Sequence, residues 1–276
     1  MTSLSAQLIG GPTILLEYAG LRWLTDPTLS PPGHYGWLDK TNGPAVEADQ
    51  LEPIDVVLLS HDQHPDNLDP AGRSFLPHAT RVLTTMAGAE RLGANATGMK
   101  PMKSVEVPGH GGPAVTVTAV PAQHGPDGSD EAMGPVIGFL LQAPDTDSIY
   151  VSGDNASLDV VRVIAEAYGP IDIAVLFTGA VQREEEFNGA YLTLSSERAA
   201  EAARILTARK VIPVHYEGWT HFTQGAAALR AAFAGNQLLD RLALLSPGER
   251  MDLLPPVGAF TAGRASRVCP RAASSK

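Results

Sequence analysis

The hydrophobic pattern of this chain runs strands first and then alternates strand with helix, which predicts an α/β protein of two sheets with helices outside. Within its first 25 residues lie three short β-rich runs, separated by Gly10-Gly11-Pro12 and Ala19-Gly20. Later come near-continuous apolar runs at 54–59, 171–177 and 211–214, the pattern of strands buried on both faces. From residue 156 onward, helical periodicity and strand runs take turns.

Residues 4–9, 13–18 and 21–25 read as a meander, closed by Asp26-Pro27. The Pro- and Gly-rich stretch 30–36 reads as a loop. After the buried strand 54–59, short helices are expected at 69–76 and 86–94 around a strand at 81–84. Strands follow at 105–107 and 115–120, with a hairpin of 136–142 and 148–151 turning at 144–147. Leu158, Val161, Ile164, Ala165 and Tyr168 mark a helix over 156–168, which Gly169-Pro170 ends. Ser195-Ser196-Glu197-Arg198 carries capping chemistry for an Ala-rich helix to about 208. A helix at 224–233 and a late strand near 242–245 complete the pattern. One domain is expected over 1–261, followed by a frayed, small-residue, basic tail at 262–276.

Composition limits the classes of function. The 276 residues are 44% hydrophobic and 18% charged, ample for a sizeable core. A net charge of −10 argues against general affinity for nucleic acid or anionic membrane. The lone Cys269 excludes an internal disulfide framework and a cysteine-rich zinc site, and is compatible with the cytoplasm, where we place the chain. No signal peptide is expected, and no apolar run approaches the ~20 residues of a membrane span. Oligomeric state is left open.

The chemistry concentrates at 59–69, Leu-Ser-His-Asp-Gln-His-Pro-Asp-Asn-Leu-Asp. Two imidazoles (His61, His64) and three carboxylates (Asp62, Asp66, Asp69) follow directly on a buried strand. Burying that many polar groups costs several kcal/mol unless something pairs with them, and a borderline metal ion suits imidazole with carboxylate. Four further polar residues also follow strands: Asp26, His124, Asp154 and His215. Strand ends gather at one sheet edge, where distant residues converge on a single ion. No Gly-x-Ser-x-Gly elbow is present, which argues against a serine hydrolase.

In this order the residues resemble the metallo-β-lactamase-fold superfamily, in the branch of ascorbate-phosphate lactonases and N-acylphosphatidylethanolamine phospholipase D. The resemblance covers about 7–222: Leu-Ile-Gly-Gly-Pro-Thr-Ile-Leu-Leu-Glu with Leu-Thr-Asp-Pro, Leu-Ser-His-Asp with Asp-Asn-Leu-Asp, Gly-Asp after a strand, and Pro-Val-His. It implies a four-layer αββα sandwich with a metal site at the edge between the sheets. The family's His-x-His-x-Asp-His motif is altered here by one extra residue. Aligned backward from Leu68-Asp69, His64 takes the second histidine, Asp66 the aspartate, and Asn67 the place of a second-site histidine. Aligned forward, Gln63 and Pro65 would take the first two of those places, which is chemically poorer.

By this resemblance His61, His64 and His124 hold a first ion, Asp66 and His215 a second, and Asp154 bridges them. Asn67 becomes a weak ligand, so the second site is depleted and one or two ions are expected, zinc first, with manganese or iron as alternatives. Gln63, Asp62 and Asp26 are weak or outer positions; Asp62 and Asp69 read as groups that orient a histidine or cap a helix. His221 and His34 are either substrate contacts or ordinary packing and loop residues. His78, His110 and the run 183–186 read as surface.

The implied activity is metal-dependent hydrolysis of a small ester, lactone or phosphoester. The ion lowers the pKa of a bound water toward ~7, and Asp66 orients the resulting hydroxide and accepts its proton. The alternatives are a catalytically impaired member that serves as a ligand- or partner-binding module, and an oxidoreductase that uses a metal pair.

Overall fold

The computed structural model describes residues 4–253. The first half opens with β1 (Ser5–Gly10), β2 (Thr13–Tyr18) and β3 (Leu21–Thr25), then a small hairpin of β4 (Gly33–Tyr35) and β5 (Leu38–Lys40). It continues through α1 (Ala48–Leu51), β6 (Ile54–Leu58), α2 (Pro70–Phe75), β7 (Ala79–Thr85), α3 (Met86–Leu92) and β8 (Ala96–Met99). The second half starts with β9 (Ser104–Val107), β10 (Val115–Pro121), α4 (Asp130–Met133), β11 (Ile137–Gln142) and β12 (Ile149–Val151). It then alternates α5 (Leu158–Tyr168), β13 (Ile173–Phe177), α6 (Glu184–Phe187), α7 (Ser196–Ile205), β14 (Lys210–Val214) and α8 (Ala226–Gly235), before β15 (Arg250–Asp252).

Two large sheets result, ordered β15-β1-β2-β3-β6-β7-β8 and β14-β13-β12-β11-β10-β9. Each begins antiparallel and becomes parallel where helices carry the crossovers, β3-β6-β7-β8 in one and β12-β13-β14 in the other. Successive side chains of a strand face opposite ways, so each apolar strand feeds two layers. In β2, Ile14, Leu16 and Tyr18 enter a core shared with the second sheet, while Leu15 faces outward to a core with Leu51, Phe75 and Leu76. In β13, Ile173, Val175 and Phe177 enter the shared core, while Ala174 and Leu176 pack on Val161, Ile164 and the alanines of α7. Three cores between four layers are the αββα sandwich that the resemblance implied.

Local chemistry sets the helix starts. Ser157 caps α5 by accepting from the Val160 N–H, Ser195 caps α7 from Arg198, and Asp69 caps α2 from Gly72.

Two expectations are corrected. The stretch 30–36 is not all loop, because 33–35 pairs with 38–40 around a Gly36-Trp37 turn in which Gly36 has φ 63°. The late strand is not 242–245. That stretch makes one bridge, Leu242 to Val211, with the Ala243 N–H donating to the Val211 carbonyl. The next residue of β14 facing that edge is Pro213, which has no N–H to extend the ladder. The last strand among the described residues is β15, antiparallel to β1 on the other sheet. The tail at 262–276 and Cys269 lie outside the described residues. Among those residues, no helix is long and apolar enough to cross a membrane.

Candidate metal centre

β10, β12, β13 and β14 all point their C-terminal ends the same way, as do β3 and β6 in the other sheet. His124, Asp154 and His215 leave the second sheet there, and Asp26 and the segment from Ser60 leave the first. Two backbones are held in left-handed conformations at this edge, His215 with φ 58° and Asp26 with φ 26°. Such geometry costs of order 1–3 kcal/mol per residue and persists only where the surroundings impose it. The His215 N–H donates to the Gly11 carbonyl, tying the second sheet's last parallel strand to the β1–β2 turn. Gly153, with φ 57°, makes the turn into Asp154; a Cβ there would lie 2.7 Å from the Ile137 carbonyl oxygen and 2.8 Å from Cβ of Ser60.

The structure gathers the six residues into two groups that share Asp154. His61, His64, His124 and Asp154 form one, and Asp66, Asp154 and His215 the other. In the first, Nδ1 of His64 lies 2.9 Å from Nε2 of His61 and 3.2 Å from Nε2 of His124. Asp154 Oδ2 stands 3.3 Å from His124 Nε2 and 4.0 Å from His61 Nε2. In the second, His215 Nε2 is 3.1 Å from Asp66 Oδ2 and 3.7 Å from Asp154 Oδ1.

The donor chemistry of the first group fits a metal ion. His124 Nδ1 donates to the Leu192 carbonyl at 2.7 Å, so in the neutral ring the lone pair is on Nε2. The Ser60 hydroxyl gives its proton to Asp26 Oδ2 at 2.5 Å, and Ser60 Oγ lies 3.0 Å from His61 Nδ1. With Asp26 ionised, His61 Nδ1 bears the hydrogen and its Nε2 is bare as well. At most one proton, on His64, is then available to three converging ring nitrogens. A cation satisfies all three, and tetrahedral zinc with bonds of 2.0–2.1 Å sets its ligands about 3.3 Å apart.

Burial fixes the charge states. It holds His61 well below the ordinary imidazole value, with His64 and His124 pushing the same way, and it lowers His64 too. Burial also works against the charged form of Asp66, but hydrogen bonds from His215 and His221 hold its carboxyl well below the usual range. His215 moves up despite burial, because Asp154 and Asp66 face it. Asp26 is pushed up to about 7 by burial, with Asp154 adding, against the hydrogen bonds from Ser60 and Asn67.

The outer positions differ from expectation. Asp62 does not orient a histidine: its carboxylate pairs with Arg91 at 2.5 and 2.9 Å and lies 3.7 Å from Arg73. Ser60, with Asp26 behind it, does that for His61, and the Leu192 carbonyl does it for His124. Asn67 is a hydrogen-bond donor here, its Nδ2 3.1 Å from Asp26 and 3.3 Å from Asp154. An amide nitrogen has no lone pair to give a metal, and a flipped amide would set Oδ1 against two carboxylates. His221 reaches the centre, with Nε2 2.9 Å from Asp66 Oδ2. His34 stays exposed on Asp39 and lines a groove of about 370 Å³ with Tyr35, Asp62, Gln63 and Arg73.

A neighbouring cleft of about 290 Å³ opens on His64, lined by Trp37, Gln63, Ala132, Met133 and Arg183. Within the run 183–186, read as surface, Arg183 therefore belongs to the cleft wall while also pairing with Glu186. Sequence reasoning missed Ser60 and Arg183; for Ser60 the available signal was a small polar residue directly before His61.

A family model described as "Beta-lactamase superfamily domain" matches residues 22–216. A UPF0173 metal-dependent hydrolase of Pyrococcus horikoshii is 28% identical over 214 residues, 76% of this chain and 86% of that protein. The isothiocyanate hydrolase from Delia radicum gut bacteria superposes with a TM-score of 0.77 at 21% identity, over 90% of this chain and 98% of that one. CmlA, a diiron β-hydroxylase from Streptomyces venezuelae, gives 0.68 at 17% identity, over 92% of this chain and 55% of that one. The two structures share the fold with this chain.

Proposed function

The chain belongs to the beta-lactamase superfamily, and on that premise we propose that it is a metal-dependent hydrolase of a small ester, lactone or phosphoester in the cytoplasm. The observation that carries this reading is the convergence of three ring nitrogens, 2.9 and 3.2 Å apart, beside a buried carboxylate. That the relatives are metal-dependent hydrolases supports it.

His61, His64 and His124 would hold a first divalent ion, Asp66 and His215 a second, and Asp154 would serve both. Zinc is the first choice, with iron or manganese suited to the same donors. Such an ion supplies activated water near neutral pH and polarises the bond to be cut. The chain's own part is positional. Ser60 and Leu192 orient His61 and His124, and His61, held by burial well below the ordinary imidazole value, presents its lone pair without first losing a proton. Asp66 would orient the attacking water and be the nearest carboxylate to take up its proton. Trp37 and Met133 give the cleft an apolar wall, while Gln63 and Arg183 offer polar groups to an acyl or phosphoryl oxygen.

The test is metal content of protein purified without chelator, followed by hydrolysis of an ester, lactone and phosphodiester panel. Turnover abolished by chelator, and by His61→Ala or His124→Ala, is the expected result. Full activity in metal-free protein would refute it. A second reading, a ligand-binding member of the fold without turnover, is favoured by Asn67, whose amide stands between Asp26 and Asp154 as a donor.

A further inference from the structure

We propose that His221 is a ligand of the second ion, completing a four-donor set with Asp66, Asp154 and His215. This rests on the metal-dependent reading above and assigns to that centre a residue outside the motif that builds it. Asp66 Oδ2 has two imidazole nitrogens against it, His215 Nε2 at 3.1 Å and His221 Nε2 at 2.9 Å. The second group otherwise has three donors, two of them carboxylates. Borderline divalent ions favour imidazole in such sets, and position 67 provides none. Asn67 presents amide hydrogens to Asp154 and Asp26 instead.

The chain delivers His221 from a second direction. After β14 the backbone turns at Gly218, with φ 85°, and comes back against β5, where Trp219 bridges Lys40. The Thr220 N–H donates to the Asp39 carbonyl, and the Thr223 N–H to that of Gly179. His221 is thus pinned on both sides. Its ring stands edge-on to Trp219 at 6.3 Å and tilted on Phe222 at 4.5 Å, and Phe222 also packs on His215 at 4.5 Å. Nδ1 of both histidines is buried without a hydrogen-bond partner, so Nε2 is the polar contact each ring makes among the described residues. Two rings fixed by a shared phenyl bring the same nitrogen to one carboxylate oxygen, with His221 standing outside the tight group of Asp66, Asp154 and His215.

A hydrogen bond to Asp66 alone would give the same apo geometry, so the test separates the two roles. Zinc stoichiometry and stepwise affinity are measured by elemental analysis and chelator competition for wild type, His221→Ala and His221→Gln. The Gln variant keeps an N–H donor toward Asp66 and loses the imidazole. Wild type is expected to bind two ions. Both variants are expected to lose more than about 100-fold in affinity for the second and to keep the first within about twofold. In ¹⁵N-histidine-labelled wild type, Nε2 of His221 is expected to move to the metal-bound range with the second equivalent of zinc. A Gln variant that binds the second ion like wild type overturns the proposal, as does a His221 resonance unmoved at two equivalents. Wild type that binds a single ion overturns it and leaves the hydrolase reading standing; wild type that binds none removes both.

Discussion

Lys40 and Asp69 form an ion pair 2.8 Å long, with the two side chains 4% and 0% exposed. The ammonium also donates to the Thr28 carbonyl, and the carboxylate accepts from the N–H groups of Leu29, Ser30 and Gly72. This pair fastens the β4–β5 hairpin, and with it Trp37, to the segment that carries His64 and Asp66. Lys40→Met leaves the Asp69 charge buried and unpaired by a cation. It is expected to cost about 3–5 kcal/mol, the usual range for a broken buried pair. Equilibrium denaturant unfolding measures it, and a loss below about 1 kcal/mol would contradict the assignment.

Ser60→Ala removes the hydroxyl between His61 Nδ1 and Asp26 without altering any proposed ligand. The expected result is a 10- to 100-fold fall in affinity for the first ion, the range typical of groups that orient a ligand, in an otherwise folded protein. A competition titration with a chromophoric chelator reads this. An unchanged constant would mean that the hydroxyl plays no part in presenting His61.

Metal removal should destabilise the fold, because the donors come from both sheets and the unfolded chain does not assemble them. At a free ion concentration 1,000 times the dissociation constant, linkage predicts about 4 kcal/mol. For a chain of this length that corresponds to roughly 8–16 °C in melting temperature. Differential scanning calorimetry before and after chelation checks it; coincident transitions would exclude binding to the native state.

The metal-free protein should also lose stability as pH rises above neutrality. Asp26 holds its proton in the fold up to about 7, whereas the unfolded chain releases it near the ordinary carboxyl value of 3.8. His215, raised above 6.5, likewise keeps a proton that the unfolded chain gives up. Over both windows the native state binds more protons, so the sign is the same. The Asp26 contribution is lost between about pH 4 and 7, and that of His215 from about 6.5 upward. His61 and His64 act oppositely up to about pH 6.5, because the unfolded chain takes up protons that their burial refuses, and Asp66 does so only toward acid pH. Melting temperatures of chelated protein should therefore fall from about pH 7 to 8, and a rising series there would refute the charge assignment.

Much of the fold was legible because turn chemistry and apolar runs are local signals. β2 and β3 fall at the bounds expected, since Gly10-Gly11-Pro12 and Ala19-Gly20 leave the chain little choice. The late strand was misplaced because 242–245 has the right alternation: Ala243 and Leu245 face the shared core and Leu242 and Leu244 the outer one. What stops it as a strand is a missing donor at Pro213, a tertiary fact. At the centre, strand-end position brought His61, His124, Asp154 and His215 together. Direction was not legible: Asp62 and Ser60 flank His61 equally in sequence, yet Asp62 turns to Arg91 and Ser60 to the imidazole. Likewise, six residues from His215 to His221 say nothing of a turn that returns the second ring to Asp66.

The pairing of β15 with β1 has a consequence for how the chain is made. Ser5, Ala6 and Gln7 wait for Asp252, Met251 and Arg250, so β1 gains its outer neighbour from a strand synthesised after the whole second sheet. The meander, its crossovers and the whole second sheet are synthesised while that edge still shows unpaired N–H and C=O groups, the feature that lets one nascent chain template another. Arg250 then clamps Glu17 across the finished edge. Translation that halts before residue 250 would release a product that carries every proposed metal ligand and leaves β1 without its outer neighbour.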